Sequence, residues 1–317
     1  MKKYNLLKKV KSNIFSIKIG FLLINSILEF IFQYYSHFYK SNLLIGSIIN
    51  YNWETIEPFF QSFKYAHFEN CQCIMFIRNM APEVIKKIKS FGVKVHKIPY
   101  KFHKKAIINY RWKLYEKYLE HKLNRYKLVF TADLRDTIFQ KDIFKFYTKY
   151  EKHNSFLGVA IEDGTLSEKT NKNWLINAYG ENLFNIIQNE RIICVGTIWG
   201  TPDKFYEFSK IMWEKLDSKW SLRLNVIEQA VANFLIYYEK KFNNYIIKSE
   251  NKKGPVMTIG ITDRRNINLD LDDNIINGNG EIAAVIHQYD RKPDIVEKIK
   301  KKYCSNHNIS NPTINNN

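Results

Sequence analysis

Cysteine is scarce in this chain of 317 residues. The four present, Cys71, Cys73, Cys194 and Cys304, are too few and too scattered for a disulfide scaffold. Cys71 and Cys73 sit too close together for an easy disulfide, and no His or Cys group beside them completes a zinc site. They read as reduced thiols, mostly of the core, in a reducing compartment. Acidic residues are also short, 31 against 49 Lys and Arg, which leaves a formal net charge of +18. That balance points to polyanionic company: nucleic acid, an anionic membrane or phosphate-bearing substrates. Nucleic acid is not expected, because the cations are spread rather than striped on one element. There is also no zinc-finger spacing and no aromatic ribonucleoprotein motif. No internal repeat is present. No small-residue cleavage site follows the apolar stretch Ile19 to Leu28, which speaks against a cleavable signal peptide. Against these shortages, 45% of the residues are hydrophobic and 15% aromatic, ample for a packed core and unlike a disordered chain.

The first forty residues differ from the rest. Lys2, Lys3, Lys8, Lys9, Lys11 and Lys18 precede or open an apolar, aromatic stretch from Ile14 to Tyr39. A spanning helix needs about 20 apolar residues. Here one running from Ile19 to Tyr39 would bury Glu29 at the bilayer centre, at roughly 2.5–3.5 kcal/mol on insertion scales. An in-plane helix with a basic leader is therefore expected, making 1–40 a membrane-associated segment. Each Lys near an anionic leaflet adds about 1 kcal/mol. Residues 41–304 read as one α/β domain, and 305–317 as a disordered Asn-rich tail.

From Leu43 onward strand and helix patterns alternate. LLIGSII, CQCIMFI and VKVHKI read as strands, with helices over Trp53 to Tyr65, Pro82 to Phe91 and Lys104 to Leu123 between and after them. A fourth apolar strand, around Leu128 to Phe130, ends in Asp133 and Asp136. Later come a strand from Phe156 to Ile161, an apolar run from Ile192 to Trp199, and a helix from Thr201-Pro202-Asp203 to Leu216. A second helix spans Val226 to Tyr238, and a late strand leads into the polar turn of AAVIHQYDRKP. This order predicts an α/β fold with a mixed, mainly parallel sheet flanked by helices. Open sheets of that kind bind ligands beyond the C-terminal ends of their strands. Two carboxylates three residues apart on a tight turn there can share one hard divalent cation, which prefers oxygen ligands.

The motifs in sequence resemble a GT-A glycosyltransferase, the nucleotide-diphospho-sugar transferase fold, and most closely its retaining glycogenin and lipopolysaccharide galactosyltransferase branch. They are Asp133/Asp136, Gly196 in CVGTIWG, Glu228-Gln229 on a helix, and His287 with Lys292-Pro293 in HQYDRKP. The likeness spans roughly residues 43 to 300. One departure is visible: the family motif is Asp-x-Asp, whereas this chain has Asp133-Leu134-Arg135-Asp136. Asp136 stands six residues before Asp142, the usual offset of the second motif Asp, so Asp133 is one residue early.

The resemblance implies the following roles. Asp133, Asp136 and His287 would hold Mn2+ or Mg2+, a donor set that tolerates a single imidazole best with Mn2+. Asn50, Tyr51, Arg111, Arg135, Gly196, Arg291 and Lys292 would line the donor. Glu228, Gln229 and Asp163 would act at the transferred sugar or the acceptor, with Glu162 an alternative. The donor would be a nucleotide-sugar, UDP by default, and the acceptor a glycan or lipid-linked sugar. Transfer would proceed with retention, on the cytoplasmic face of an anionic membrane. Two other readings compete: a transferase fold that has lost turnover and only binds, which the DLRD spacing favours, and a basic membrane- or nucleic-acid-binding protein without catalysis.

Overall fold

Strands alternating with helices build the first half of the molecule, all but the exposed third strand carrying buried apolar side chains. These are β1 (Ser41–Ile49), α1 (Trp53–Tyr65), β2 (Cys71–Arg78), α2 (Pro82–Ser90), β3 (Lys94–Lys97), α3 (Ala106–Leu119) and β4 (Tyr126–Ala132). The computed structural model describes residues 40–98, 106–150, 155–218 and 227–304. The expected membrane segment, apart from Lys40, the expected tail and Lys104 lie outside the described residues. Among the described residues, no helix is long and apolar enough to cross a membrane.

After β4 the chain runs through β5 (Thr137–Phe139), β6 (Leu157–Thr165), α4 (Lys169–Tyr179), α5 (Glu181–Ile187), β7 (Arg191–Gly200) and α6 (Pro202–Asp217). It continues with α7 (Glu228–Asn233), β8 (Ile246–Glu250), β9 (Val256–Thr258), the short pair β10 (Asn268–Leu269) and β11 (Ile275–Ile276), β12 (Val285–His287) and α8 (Pro293–Tyr303). Seven strands form the central sheet in the order β3-β2-β1-β4-β7-β6-β8. The pairings among β1 to β4 and between β6 and β8 are parallel, while β7 runs antiparallel to both β4 and β6. The sheet is thus mixed and mainly parallel, as the alternation predicts.

Side chains of β1 explain why both faces need cover. Leu43 and Ile45 enter one core with Trp112 and Tyr115 of α3 and Phe205 and Phe208 of α6. Leu44 and Ile48 enter the opposite core with Ile56, Phe59 and Phe60 of α1 and Val84 and Ile88 of α2. A strand buried on both sides reads as a continuous apolar run. Helix starts follow the sequence signals: Asn52 caps α1, its Oδ1 accepting from Thr55 N at 3.0 Å, and Pro82 and Pro202 open α2 and α6.

Three elements differ from expectation. The helix predicted to reach Leu123 ends at Leu119, and Leu123–Arg125 form a separate 3-10 turn. The helix predicted through Tyr238 is α-helical only from Glu228 to Asn233 and then widens into a π-turn over Phe234–Tyr238. The polar turn after His287 leads into α8, whose Ile295, Ile299 and Tyr303 are buried against Ile138 and Ile286.

A small second sheet, β5-β12-β9, positions the late motif. β12 runs antiparallel to β5 with His287 opposite Thr137, so the register sets His287 beside Asp136.

Candidate active site

The order of the parallel strands reverses between β1 and β4, and a crevice forms where neighbouring crossovers diverge. There, at the strands' C-terminal ends, lies a cavity of about 460 Å³. Asn50 and Tyr51 follow β1, Asn79 follows β2, and Asp133 to Asp136 follow β4; all of them line it. Asn50 and Asn79 both have left-handed backbones, φ 57° and 50°. Asn tolerates that region better than most residues, which lets the chain turn sharply off each strand.

On one wall Asp133, Asp136 and His287 converge, each offering a ligand atom within 4.8 Å of the others. His287 Nε2 lies 3.5 Å from Asp136 Oδ1 and 3.9 Å from Asp133 Oδ2. His287 Nε2 and Asp136 Oδ1 are both buried, and beyond each other, 3.5 Å apart, neither has a polar partner. An unpaired buried polar atom costs about 1–3 kcal/mol, so two facing one another call for a shared partner. The imidazole's other nitrogen is supplied from behind: Nδ1 is 3.3 Å from Cys194 Sγ and 3.4 Å from Thr258 Oγ1. In the neutral ring, donation from Nδ1–H would leave the Nε2 lone pair facing the two carboxylates, the tautomer a metal ligand needs. Two carboxylate oxygens and one imidazole fit a hard divalent cation such as Mn2+ or Mg2+.

Gly196 is required by this wall. A Cβ there would lie 2.5 Å from His287 Nε2 and 2.9 Å from Asp133 Oδ2. Its carbonyl accepts from Asp133 N at 2.8 Å, which extends the β4–β7 pairing to the first carboxylate. Electrostatics tighten the cluster. Burial works against ionising Asp136, but His287 and Arg135 outweigh it and hold the carboxyl below the usual range. Burial likewise disfavours the charged ring of His287, yet Cys194 and Asp136 keep its pKa well above the ordinary value.

Arg111, from α3, is buried behind Asp133. Its Nε donates to Glu228 at 3.0 Å, and its Nη2 donates to the other Glu228 oxygen at 2.7 Å and to the Val195 carbonyl at 3.2 Å. Its Nη1 donates to Asp133 Oδ1. Trp112 Nε1 donates to Glu228 at 2.7 Å, so both oxygens of that carboxylate are engaged. Burial pushes the Glu228 carboxyl up to about 7 against the opposing pull of Arg111. Arg135 reaches back to Asp136 at 3.4 Å and across to Asp290 at 3.3 Å.

Of the residues singled out in the sequence, Asn50, Tyr51, Arg111, Asp133, Arg135, Asp136, Gly196, Glu228, Gln229, His287 and Arg291 all line the cavity. Two do not. Asp163 accepts from Thr262 Oγ1 at 2.7 Å and Asn251 Nδ2 at 3.1 Å. Successive β6 side chains point to opposite faces, so its neighbour Glu162 turns the other way, where it is buried beside His287, Cys194 and Gln229. Lys292 occupies the residue just before α8, without a side-chain capping bond. Asp142, the offset marker, accepts from Glu69 N at 3.1 Å and Phe144 N at 2.9 Å and has a structural task.

The structure adds Asn79, Trp174 and Gln288 to the lining. Asn79 was findable, since it ends a buried strand as Asn50 does. Trp174 and Gln288 carry no local signal; the approach of α4 and the left-handed turn at Gln288 (φ 58°) bring them in.

No protein-family model matches this sequence, and no curated protein matches it. Among solved structures the chain is similar to the galactosyltransferase LgtC in complex with donor and acceptor sugar analogues. That likeness has 12% identity and a TM-score of 0.49, and covers 84% of this chain and 97% of the other. A glycosyltransferase involved in glycosylation of the major capsid of PBCV-1 is similar at 12% identity and a TM-score of 0.44, over 83% of this chain and 98% of that one. Likenesses at this level leave the function to be read from the site.

Proposed function

We propose that this chain is a divalent-metal-dependent glycosyltransferase of GT-A architecture that moves a sugar from a nucleotide-sugar, UDP-linked by resemblance, to a glycan or lipid-linked acceptor. The observation that carries the reading is the convergence of Asp133, Asp136 and His287 within 4.8 Å of one another at the switch point of the sheet, with His287 Nε2 and Asp136 Oδ1 buried and without a polar partner beyond each other. Bound there, Mn2+ or Mg2+ would supply charge neutralisation for a departing diphosphate.

The chain's own residues do the rest. Asn50, Tyr51 and Asn79 form the polar end that suits a nucleoside. Arg291 and Arg135 present guanidinium groups suited to phosphate oxygens. Gln229, held by Asn171 Oδ1 at 2.9 Å, and Trp174 form the part of the lining suited to sugar rings. Among the described residues the acids lining the cavity are Asp133, Asp136 and Glu228, two in the metal cluster and one fully engaged. Retention is taken from the resemblance of the His287-to-Pro293 motif. The acceptor oxygen would bond to the anomeric carbon as the bond to the diphosphate oxygen breaks, with the departing diphosphate taking the hydroxyl proton on the same face.

Incubation with a panel of nucleotide-sugars tests this directly. Nucleoside diphosphate should be released with Mn2+, not with chelator, and not by Asp136→Ala. A folded wild type that releases none from any donor would leave the binding-only reading in its place. We extend the proposal to location: the basic, apolar 1–40 segment holds the enzyme on an anionic cytoplasmic membrane face. The 317-residue chain should float with phosphatidylserine vesicles and a chain lacking 1–40 should not; equal flotation of both would contradict it.

A further inference from the structure

Asp133 stands one residue early for its motif, yet its carboxylate reaches the metal cluster. We propose that Arg111 and Glu228 form a charge-cancelled clamp that orients Asp133 toward the metal, making both of them positioning residues. This inference rests on the metal reading above.

The Asp133 side chain is 40% exposed, so without a tether it would sample several rotamers. Arg111, at 5% exposure, grips Oδ1 and leaves Oδ2 turned to His287. The guanidinium is itself fixed by two bonds to Glu228 and one to the Val195 carbonyl, with the Trp112 ring 5.0 Å from its Cζ. A planar fork held at that many points aims its remaining donor firmly.

A bare cation beside a metal site would repel the metal. Ionised, Glu228 removes that objection, because its paired oxygens cancel the arginine's charge where both are buried. The clamp therefore gives direction without adding charge. It also explains why Glu228 points at Arg111 and Trp112 rather than standing as a base. The competing account makes Arg111 a rival of the metal for Asp133, and it predicts the opposite sign: removing the arginine would tighten metal binding.

Calorimetric titration of Mn2+ into the full chain separates them, with thermal melting as the fold control. Arg111→Lys keeps the charge opposite Glu228, but one ammonium cannot span Glu228, Val195 and Asp133. The double variant Arg111→Met with Glu228→Gln removes both charges and keeps an acceptor for the Trp112 indole; exchanging a buried pair for neutral groups is tolerated far better than removing one partner. Both variants should melt cooperatively and bind Mn2+ about 10- to 100-fold more weakly than wild type. Either folded variant binding Mn2+ as tightly as wild type, or more tightly, would overturn the clamp while leaving the metal reading intact. A wild type that takes up no Mn2+ would overturn the metal reading and the clamp with it.

Discussion

At the scale of single residues, Gly196 sets the closest tolerance in the site. Its missing Cβ is the space in which His287 and Asp133 approach each other. Gly196→Ala should therefore abolish Mn2+ binding in titration calorimetry, while strand β7 keeps its pairing and the protein stays folded. Wild-type affinity in that variant would contradict the cluster's geometry. His287 makes a second prediction, with a sign. Its folded pKa is raised, so the contact with Asp136 stabilises the metal-free protein fully below the unfolded value of 6.5 and is lost as pH climbs through the higher folded value. Melting temperature without metal should fall as pH rises over that window, and His287→Asn should flatten the fall. Mn2+ has the opposite slope, because the imidazole must lose its proton to ligate. Its affinity should rise with pH, and binding should release protons, seen as a buffer-dependent heat. Most of these residues were legible because each carries an atypical chemical type at a strand end: carboxylates at Asp133 and Asp136, a histidine at His287. Arg111 and Glu228 were visible as charged helical residues, but their burial and mutual pairing depend on how α3 and α7 meet, which no local pattern encodes.

Elements differ in how openly they announce themselves. The doubly buried strands β1, β2, β4 and β7 are long apolar runs, and α1, α2, α4 and α6 carry a cap or a proline at their starts, so their order was readable. β5, β9 and β12 have three residues each, too few for any periodicity. Yet their register is what brings His287 to Asp136. Pairing between β6 and β7 depends on a close approach of another kind: a Cβ on Gly158 would overlap the Trp199 indole, which stacks on Phe130 and Tyr147. Gly158→Ala should destabilise the protein by about 1–3 kcal/mol or more in urea unfolding, as overpacking does in a well-filled core. A loss below about 0.5 kcal/mol would mean that the indole has room to move.

For the whole molecule, a single crevice gathers what lies far apart in sequence: Asn50 and Tyr51 near one end of the chain, Asp133 and Asp136 in the middle, and His287 and Arg291 near the other. The excess of positive charge read from composition suits an anionic donor and an anionic surface alike. On the proposed reading, the first of these is a ligand that brings both a nucleoside and metal-binding phosphates. The most direct measurement is a calorimetric titration of UDP into wild type and Asp136→Ala, each with and without Mn2+. Binding to wild type that requires Mn2+ and disappears in the variant is the predicted result. Equal UDP binding with and without the metal, or in both proteins, would contradict a metal-held diphosphate at this site.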